Sequence, residues 1–542
     1  MRMDLRQLPG TSALLRDYVH AFDRLAPLYT GDPRDAGAFP RRAEHLDSRR
    51  YPREELVAAL RARHEAWDAP AAVTGRVEAL ADPRALVMIT GQQTGLFGGP
   101  LYTLYKALTV VRLAERLEAE LARPVVAAFW LADEDHDVAE ADHACLPDRS
   151  GGLVTIRHAQ WGSPGFMPAN LQLGESIREE IQRVKDLLPA SDFAPAVLDA
   201  LARAYAPERT LADAFARWLL HLLGHTGLLL VDAADARLKA LAAPVMEQEL
   251  TEAPLSSRRV LEATQALARL GYPGQIEARP EGVNCFLLRD GRHPLVREDG
   301  AFRLRDTGAL LPRDEALRMV RTEPQRFSPN VALRPVVQDF LFPTLAYVAG
   351  PGELAYFAQL RGVYAAFDVP MPLIVPRASL TLLEPRIAQL LERFGLGLPD
   401  LTRDPEQLAS LVLRAQLPAD FEAALAKARG AVDEIFREVG QTVAAVDPTL
   451  RATVGQTAGH VKGHLDQLER KAVQALKRRE DETRKQVQRV REALMPGGRP
   501  QERVFPALPY LAKYGSAALL AVERAVDGPG WDHLLLPLRP EA

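Results

Sequence analysis

A change of texture at Ala85 restricts the fold more than any other feature. There Leu86-Val-Met-Ile89, an apolar run of strand length, meets a glycine-rich loop, a helical stretch from Leu101 to Leu121 and a second apolar run from Pro124 to Leu131. Strand, helix and strand in that order make a βαβ unit. Further strand candidates are Gly152–Arg157, Leu228–Asp232, Thr344–Ala349 and Met371–Val375, with helical segments such as Leu211–Leu223 between several of them. The alternation predicts an α/β core built on a doubly wound parallel sheet. Ligands of such sheets bind where the strands hand over to helices.

Other stretches have other textures. Residues 1–80 read as short helices separated by Pro and Gly, Glu54–Trp67 being the clearest, and form an N-terminal segment expected to pack on a core of residues 81–380. Within that core, Val283–Arg289 and His293–Val296 join through Asp290-Gly291 as a hairpin, inside an insertion at about 250–330. Residues 381–500 are helical. Phe421, Leu425, Ala428, Val432, Ile435, Val439, Val443 and Val446 step at heptad spacing, Asp447-Pro448 interrupts, and Val461, Leu465, Leu468, Ala472, Leu476, Thr483, Val487, Val490 and Leu494 resume with one stutter. Two such helices joined by a turn predict a C-terminal antiparallel α-helical coiled coil, with 501–542 returning to the core. The basic run Lys477-Arg478-Arg479 reads as a solvated face.

Four constellations sit at strand-to-helix junctions. Thr90-Gly-Gln-Gln-Thr-Gly-Leu-Phe-Gly-Gly-Pro100 offers bare backbone N–H groups at a helix start, an anion cradle or a tight turn. Its spacing is neither that of a Walker loop nor that of the dinucleotide fingerprint. Asp133-Glu-Asp-His-Asp137 surrounds one imidazole with four carboxylates, which suits a magnesium ion, a base or a solvated acidic loop. Ala349-Gly-Pro-Gly-Glu353, followed by Tyr356 and Gln359, repeats the logic of the first loop, and Pro376-Arg-Ala-Ser379 points Arg377 and Ser379 at the same edge ahead of another helix. His143, seven residues past His136, is a weaker candidate.

Composition excludes some classes. With 47% apolar residues, 25% charged residues and a net charge of −4, no excess points to nucleic acid or an anionic membrane. Two cysteines, Cys145 in a loop and Cys285 in an apolar strand, leave no thiolate zinc pattern and no disulfide framework, and both read as inert. The first ten residues lack a signal-peptide core, and the apolar run Leu219–Val231 is broken by His221, Gly224 and His225, so a cytoplasmic location is expected.

The motifs Ile89–Lys106, Phe129–Asp137, Phe327-Ser-Pro-Asn-Val-Ala-Leu-Arg-Pro335, Tyr347–Leu360, Met371–Arg377, Leu476–Glu480, Gln501-Glu-Arg503 and Tyr510–Gly515 together resemble the bacillithiol-biosynthesis cysteine ligase family over nearly the whole chain. The resemblance implies a Rossmann-like nucleotide-binding core with inserted connecting segments and a coiled coil that mediates homodimer formation. It also implies an amide bond between the cysteine carboxylate and the amine of glucosaminyl-malate. Such a carboxylate needs activation, ordinarily by ATP with Mg2+. On this reading Thr90, Gly91, Gln92, Gln93, Gly95, Gly98 and Gly99 contact nucleotide phosphate or cysteine carboxylate. Tyr102, Lys106, Asn330, Gly350, Gly352, Glu353, Tyr356 and Ser379 complete the binding edge, and Arg334 or Arg377 grips malate. His136, with Glu134, Asp135 and Asp137, handles the proton or a metal. Two alternatives remain: a nucleotidyltransferase-like enzyme on another amine or sugar, and a nucleotide-sensing coiled-coil scaffold.

Overall fold

The computed structural model describes residues 1–134, 141–148, 151–158, 167–414 and 421–539. The chain forms two compact units, Met1–Pro385 with Arg499–Ala542, and Arg386–Gly498.

The first unit is built on a five-stranded, wholly parallel sheet. Its strands are β1 (Leu86–Gln93), β2 (Val125–Ala132), β3 (Leu229–Asp232), β4 (Thr344–Ala349) and β5 (Leu373–Pro376), in the spatial order β5-β4-β1-β2-β3. A parallel sheet covered on both faces has no wet side, so its strands need continuous apolar runs rather than alternation. That is why Val125–Leu131 and Thr344–Ala349 are buried at every position. The chain winds outward from β1 through β2 to β3, then returns to lay β4 on the other side of β1. This places a topological switch point between β1 and β4.

The N-terminal segment is tied to this sheet by long-range polar bonds. Tyr18 donates to Ile374 O at 2.5 Å, Tyr29 to Leu354 O at 2.8 Å, and buried His64 accepts from Leu230 N at 3.1 Å. A strand the sequence did not announce, Arg2–Asp4, pairs antiparallel with Asp532–Pro537, which in turn runs parallel to Ser379–Leu383. Ser379 therefore opens a strand, not the helix expected after Pro376. Local pattern missed this because the strand's partner, Asp532–Pro537, lies 154 positions further along the chain.

The hairpin of the insertion is part of a five-stranded antiparallel sheet in the order Leu310–Leu311, Ala301–Leu304, Arg292–Glu298, Gly282–Leu288 and Phe327–Pro329. Asp290, with φ of 50°, and Gly291 make the turn. Leu153–Arg157 does not join the parallel sheet. It pairs antiparallel with His143–Pro147, so Cys145 and His143 lie on a strand rather than on a loop or helix. An apolar alternation of five residues cannot tell a central strand from a hairpin.

The second unit holds the helices Pro405–Arg414, Phe421–Val446 and Arg451–Leu494. Arg429 pairs with Asp466 at 2.8 Å, Lys462 with Asp433, and Gly440 faces Val454. The partner numbers fall as the first helix rises, so the pair is an antiparallel coiled coil. Ile435, Val439, Val446 and Leu468 nonetheless remain exposed. No helix among the described residues is long and apolar enough to cross a membrane.

Candidate functional site

The switch point is organised around one buried lysine. Lys106, on the first turns of the helix Leu101–Leu121 and 3% exposed, donates to Gly91 O at 2.8 Å and Gln92 Oε1 at 2.9 Å and pairs with Glu353 at 2.5 Å. Burial lowers its pKa, and the Glu353 carboxylate opposes that fall. Glu353 also accepts from Tyr347 OH at 2.7 Å and from Gly350 N at 2.7 Å. It thereby caps the short helix Pro351–Phe357 with its own carboxylate. Arg334 stands 5.7 Å above the Tyr347 ring, donates to Tyr356 OH at 3.0 Å and Gln338 Oε1 at 3.2 Å, and closes the cluster. Burial pushes the Tyr356 phenol up to about 12, so it is protonated there.

The glycines of the first loop are spoken for by the protein itself. A Cβ on Gly91 would lie 3.1 Å from Trp130, and one on Gly95 3.2 Å from Gly99. Gly98, at φ of +90°, would bring its Cβ within 2.7 Å of Trp218, and its N–H already donates to Tyr205 OH at 2.8 Å. Gly99, at φ of +68°, faces Thr103 Oγ1 at 3.2 Å, and Gly350 faces Glu353 at 3.3 Å. Only around Gly352, of the glycines named from sequence, is there open space. Thr90 is buried and donates to Val348 O at 2.8 Å, tying β1 to β4, and Gln92 donates to Tyr102 OH at 3.3 Å. Gln93 is buried at the end of β1. The hydroxyls of Thr94 and Thr103 are buried with no partner among the described residues. Such groups call for one.

Arg377 is placed differently from Arg334. Its guanidinium grips Glu502 with bonds of 2.7 and 3.1 Å, both side chains being under a tenth exposed. Glu502 further accepts from Ser379 Oγ at 3.2 Å and Leu380 N at 3.1 Å, while His533 bonds Ser379 at 2.8 Å and Thr381 at 2.9 Å. This network fastens the C-terminal strand. Of the two arginines named for malate, Arg377 is thus neutralised by a carboxylate of its own chain.

Glu134, just past β2, pairs with buried Lys239 and accepts from Ser328 Oγ at 3.0 Å. Lys239 also donates to Phe327 O at 2.9 Å, so the pair stitches the inserted sheet to the end of β2. Beside them Asp133 and Asp232 are buried together, and Arg63 meets Asp232 at 2.7 Å. Burial and then Asp232 push the Asp133 carboxyl well above the usual range. Asp135, His136 and Asp137 lie outside the described residues.

A cavity of about 870 Å3 opens between the ends of β2 and β3 and the inserted sheet, with Trp130, Glu134, Lys239, Asn284, Asn330 and Arg334 among its walls. Asn330 accepts from Ala332 N at 2.9 Å in the turn ahead of the helix Arg334–Leu341 and donates to Asn284 Oδ1 at 2.7 Å. The structure therefore gathers Lys106, Glu353, Tyr356, Arg334, Asn330 and Glu134 about the switch point and this cavity, and sets Arg377 and Ser379 in the Glu502 network.

Two family models divide the chain between them. Residues 1–378 match the N-terminal Rossmann-like domain of bacillithiol biosynthesis BshC, and residues 380–538 match its C-terminal coiled-coil domain. The chain belongs to the BshC family. Curated relatives named "Putative cysteine ligase BshC" span it almost entirely. That of Salinibacter ruber is 38% identical, covering 93% of this chain and 92% of its own, and that of Chlorobaculum tepidum is 34% identical, covering 98% and 97%. The Geobacillus thermodenitrificans protein is 33% identical over 97% and 98%.

Against that family frame, Lys239, Ser328, Asn284 and Glu502 are the polar residues that sequence reasoning passed over. Ser328 and Glu502 fell inside family motifs, which was a signal available to find them. Lys239, within the helix Ala236–Glu252, carried none, since a lysine on a helix is ordinarily solvated.

Proposed function

We propose that the protein is a cysteine ligase of bacillithiol biosynthesis that joins the cysteine carboxylate to the amine of glucosaminyl-malate. Family membership along the whole chain carries this reading, and the names of the relatives supply the reaction class. The strand order adds support, because its switch point lies where open α/β sheets hold their ligands.

The chemistry asks for three things. The cysteine carboxylate must gain a phosphate or AMP leaving group from ATP, the amine must be neutral when it attacks, and negative charge must be met as it develops. The amine nitrogen forms the C–N bond, the C–O bond to the leaving group breaks, and one proton passes from nitrogen to a base. Arg334 supplies positive charge at the switch point, beside Lys106 and its partner Glu353. The open space at Gly352 and the hydroxyls of Thr94 and Thr103, which have no partner among the described residues, are groups a nucleotide phosphate or a carboxylate would satisfy. Mg2+ would arrive with the phosphates. His136, following Glu134 in sequence between Asp135 and Asp137, is the base we assign, while Glu134 holds Lys239. We further propose a homodimer through the coiled coil, whose exposed Ile435, Val439 and Val446 suit a second copy, and a cytoplasmic location.

The test is mass-spectrometric detection of bacillithiol after incubation of the purified protein with cysteine, glucosaminyl-malate, ATP and Mg2+, omitting each in turn. Product that requires every component is the expected result. Absence of product with all components present would remove the ligase reading.

A further inference from the structure

The two cysteines of the chain sit in opposite surroundings. Cys285, on the strand Gly282–Leu288, is 1% exposed, and burial pushes its thiol well above the ordinary range. Cys145 stands on the hairpin of His143–Pro147 with Leu153–Arg157. Side chains alternate between the two faces of such a pair. Ala144, Leu146 and Ile156 take the buried face, so His143, Cys145, Thr155 and Arg157 share the other, where Thr155 and Arg157 are exposed.

That outer face carries the parts of an activated thiol. Cys145 Sγ lies 3.5 Å from Thr155 Oγ1, directly across the ladder. His143, two residues earlier on the same face, donates from Nδ1 to Asp142 Oδ1 at 2.5 Å, and Asp142 also pairs with Arg157. Nε2 is thereby left as the nitrogen available to the sulfur. A carboxylate that orients an imidazole and an imidazole beside a thiol are the three parts from which nucleophilic sulfur is built. The charges agree with the geometry. Burial raises the Cys145 pKa, but hydrogen bonds to the His143 imidazole and the Thr155 hydroxyl, with the positive charges of His143 and Arg499, outweigh it and leave the thiol below its ordinary value. Local pattern read this cysteine as inert because residues 143 and 145 share a face only once they are known to lie on a strand.

We propose that Cys145 is a covalent modification site, a nucleophilic thiol that takes up half of a low-molecular-weight disulfide. His143 accepts the thiol proton at Nε2 and Sγ attacks one sulfur of the incoming disulfide. A new S–S bond forms as the old one breaks, and the other half leaves as a thiolate that recovers the proton from His143. One disulfide is consumed, and one mixed disulfide and one free thiol are made, so no further oxidant is needed. Cys145 is 7% exposed, which favours a small disulfide over a protein partner. The proposal is independent of the ligase reading, since it uses no substrate of that reaction.

The experiment exposes the reduced full-length protein to iodoacetamide between pH 6 and 9 and follows Cys145 and Cys285 separately by peptide mass spectrometry. At pH 7 Cys145 is expected to alkylate about tenfold or more faster than Cys285, with a rate midpoint below the ~8.5 of a free cysteine. His143→Gln, its fold checked by thermal melt, is expected to move that midpoint up and to slow the reaction at pH 7 by about fivefold or more. Glutathione disulfide or cystine should then leave a mixed disulfide at Cys145 that dithiothreitol removes and that Cys145→Ser abolishes. Equal rates at the two cysteines overturn the proposal in the wild type alone, with no variant required. It is equally overturned by a Cys145 midpoint at or above that of free cysteine, by a midpoint unmoved in folded His143→Gln, or by failure of both disulfides to label Cys145.

Discussion

The Arg377 cluster and the cavity beneath the inserted sheet use buried charge in opposite ways. Around Arg377, every group has a partner from its own chain: the guanidinium has Glu502, Glu502 has Ser379 and Leu380 N, and His533 has Ser379 and Thr381. In the cavity, the hydrogen bonds of Arg334 among the described residues go to neutral acceptors, Tyr356 OH and Gln338 Oε1. The first arrangement is closed by a carboxylate of the same chain; the second lines a cavity of small-molecule size. Two arginines that look alike in sequence, each near the end of a strand, therefore do different work.

The sharpest test of this contrast is to break the closed cluster. Arg377→Met leaves Glu502 buried and uncompensated, and is expected to lower the unfolding free energy by about 3–5 kcal/mol in urea titrations. A loss under 1 kcal/mol would show that the cluster is not closed.

Acid should undo the same cluster. Burial holds the His533 imidazole down at about 4, against an ordinary value of 6.5. The unfolded chain takes up its proton first as pH falls, so this contribution is complete above about pH 6.5 and is lost progressively towards pH 4, at most about 3 kcal/mol. Stability measured between pH 7.5 and 4.5 should fall less steeply in His533→Gln than in the parent protein.

Arg334→Met probes the other side of the comparison. Its effect is expected chiefly in turnover, raising the acceptor KM by about tenfold to a hundredfold, or about 1.4–2.7 kcal/mol, with a smaller change in stability. A pure stability loss with an unchanged KM would make Arg334 a second Arg377.

The glycines give the finest contrast. Gly98→Ala must move Trp218 or the loop and forces a non-glycine residue to φ of +90°, a cost of about 1–3 kcal/mol by thermal denaturation. Gly352→Ala meets nothing within 4 Å and sits in a helix, so it should shift stability by no more than about 1 kcal/mol. Any large loss of activity there would mark close approach of a ligand to the backbone.

Much of the fold was legible before any coordinates. The runs Leu86–Ile89 and Pro124–Leu131 announced strands because a doubly covered sheet demands unbroken apolarity, and the heptads around Val432 and Leu465 announced the paired helices because their apolar residues recur on one face. The candidate site was legible only in its outline. Lys106, Glu353, Tyr356 and Asn330 do converge, but the glycine loop is packed by Trp130 and Trp218, and the helix end at Gly350 is filled by Glu353. Glycine patterns report that something approaches the backbone. They do not say whether it is a ligand or a tryptophan.

The sequence by itself determined the strands of the parallel core and the paired helices, that strand ends carry polar clusters, and that the chain belongs with the BshC proteins, because each of these is written in local pattern or in motifs read whole. Tertiary structure alone decided that β4 lies beside β1, that Arg377 meets Glu502 across 125 positions while Arg334 bonds a phenol and an amide, and that residues drawn from Trp130 to Leu341 line one cavity. The reason is physical. Burial of apolar surface is set by a residue's own face of its element, whereas the fate of a buried charge depends on which distant group the fold brings within reach.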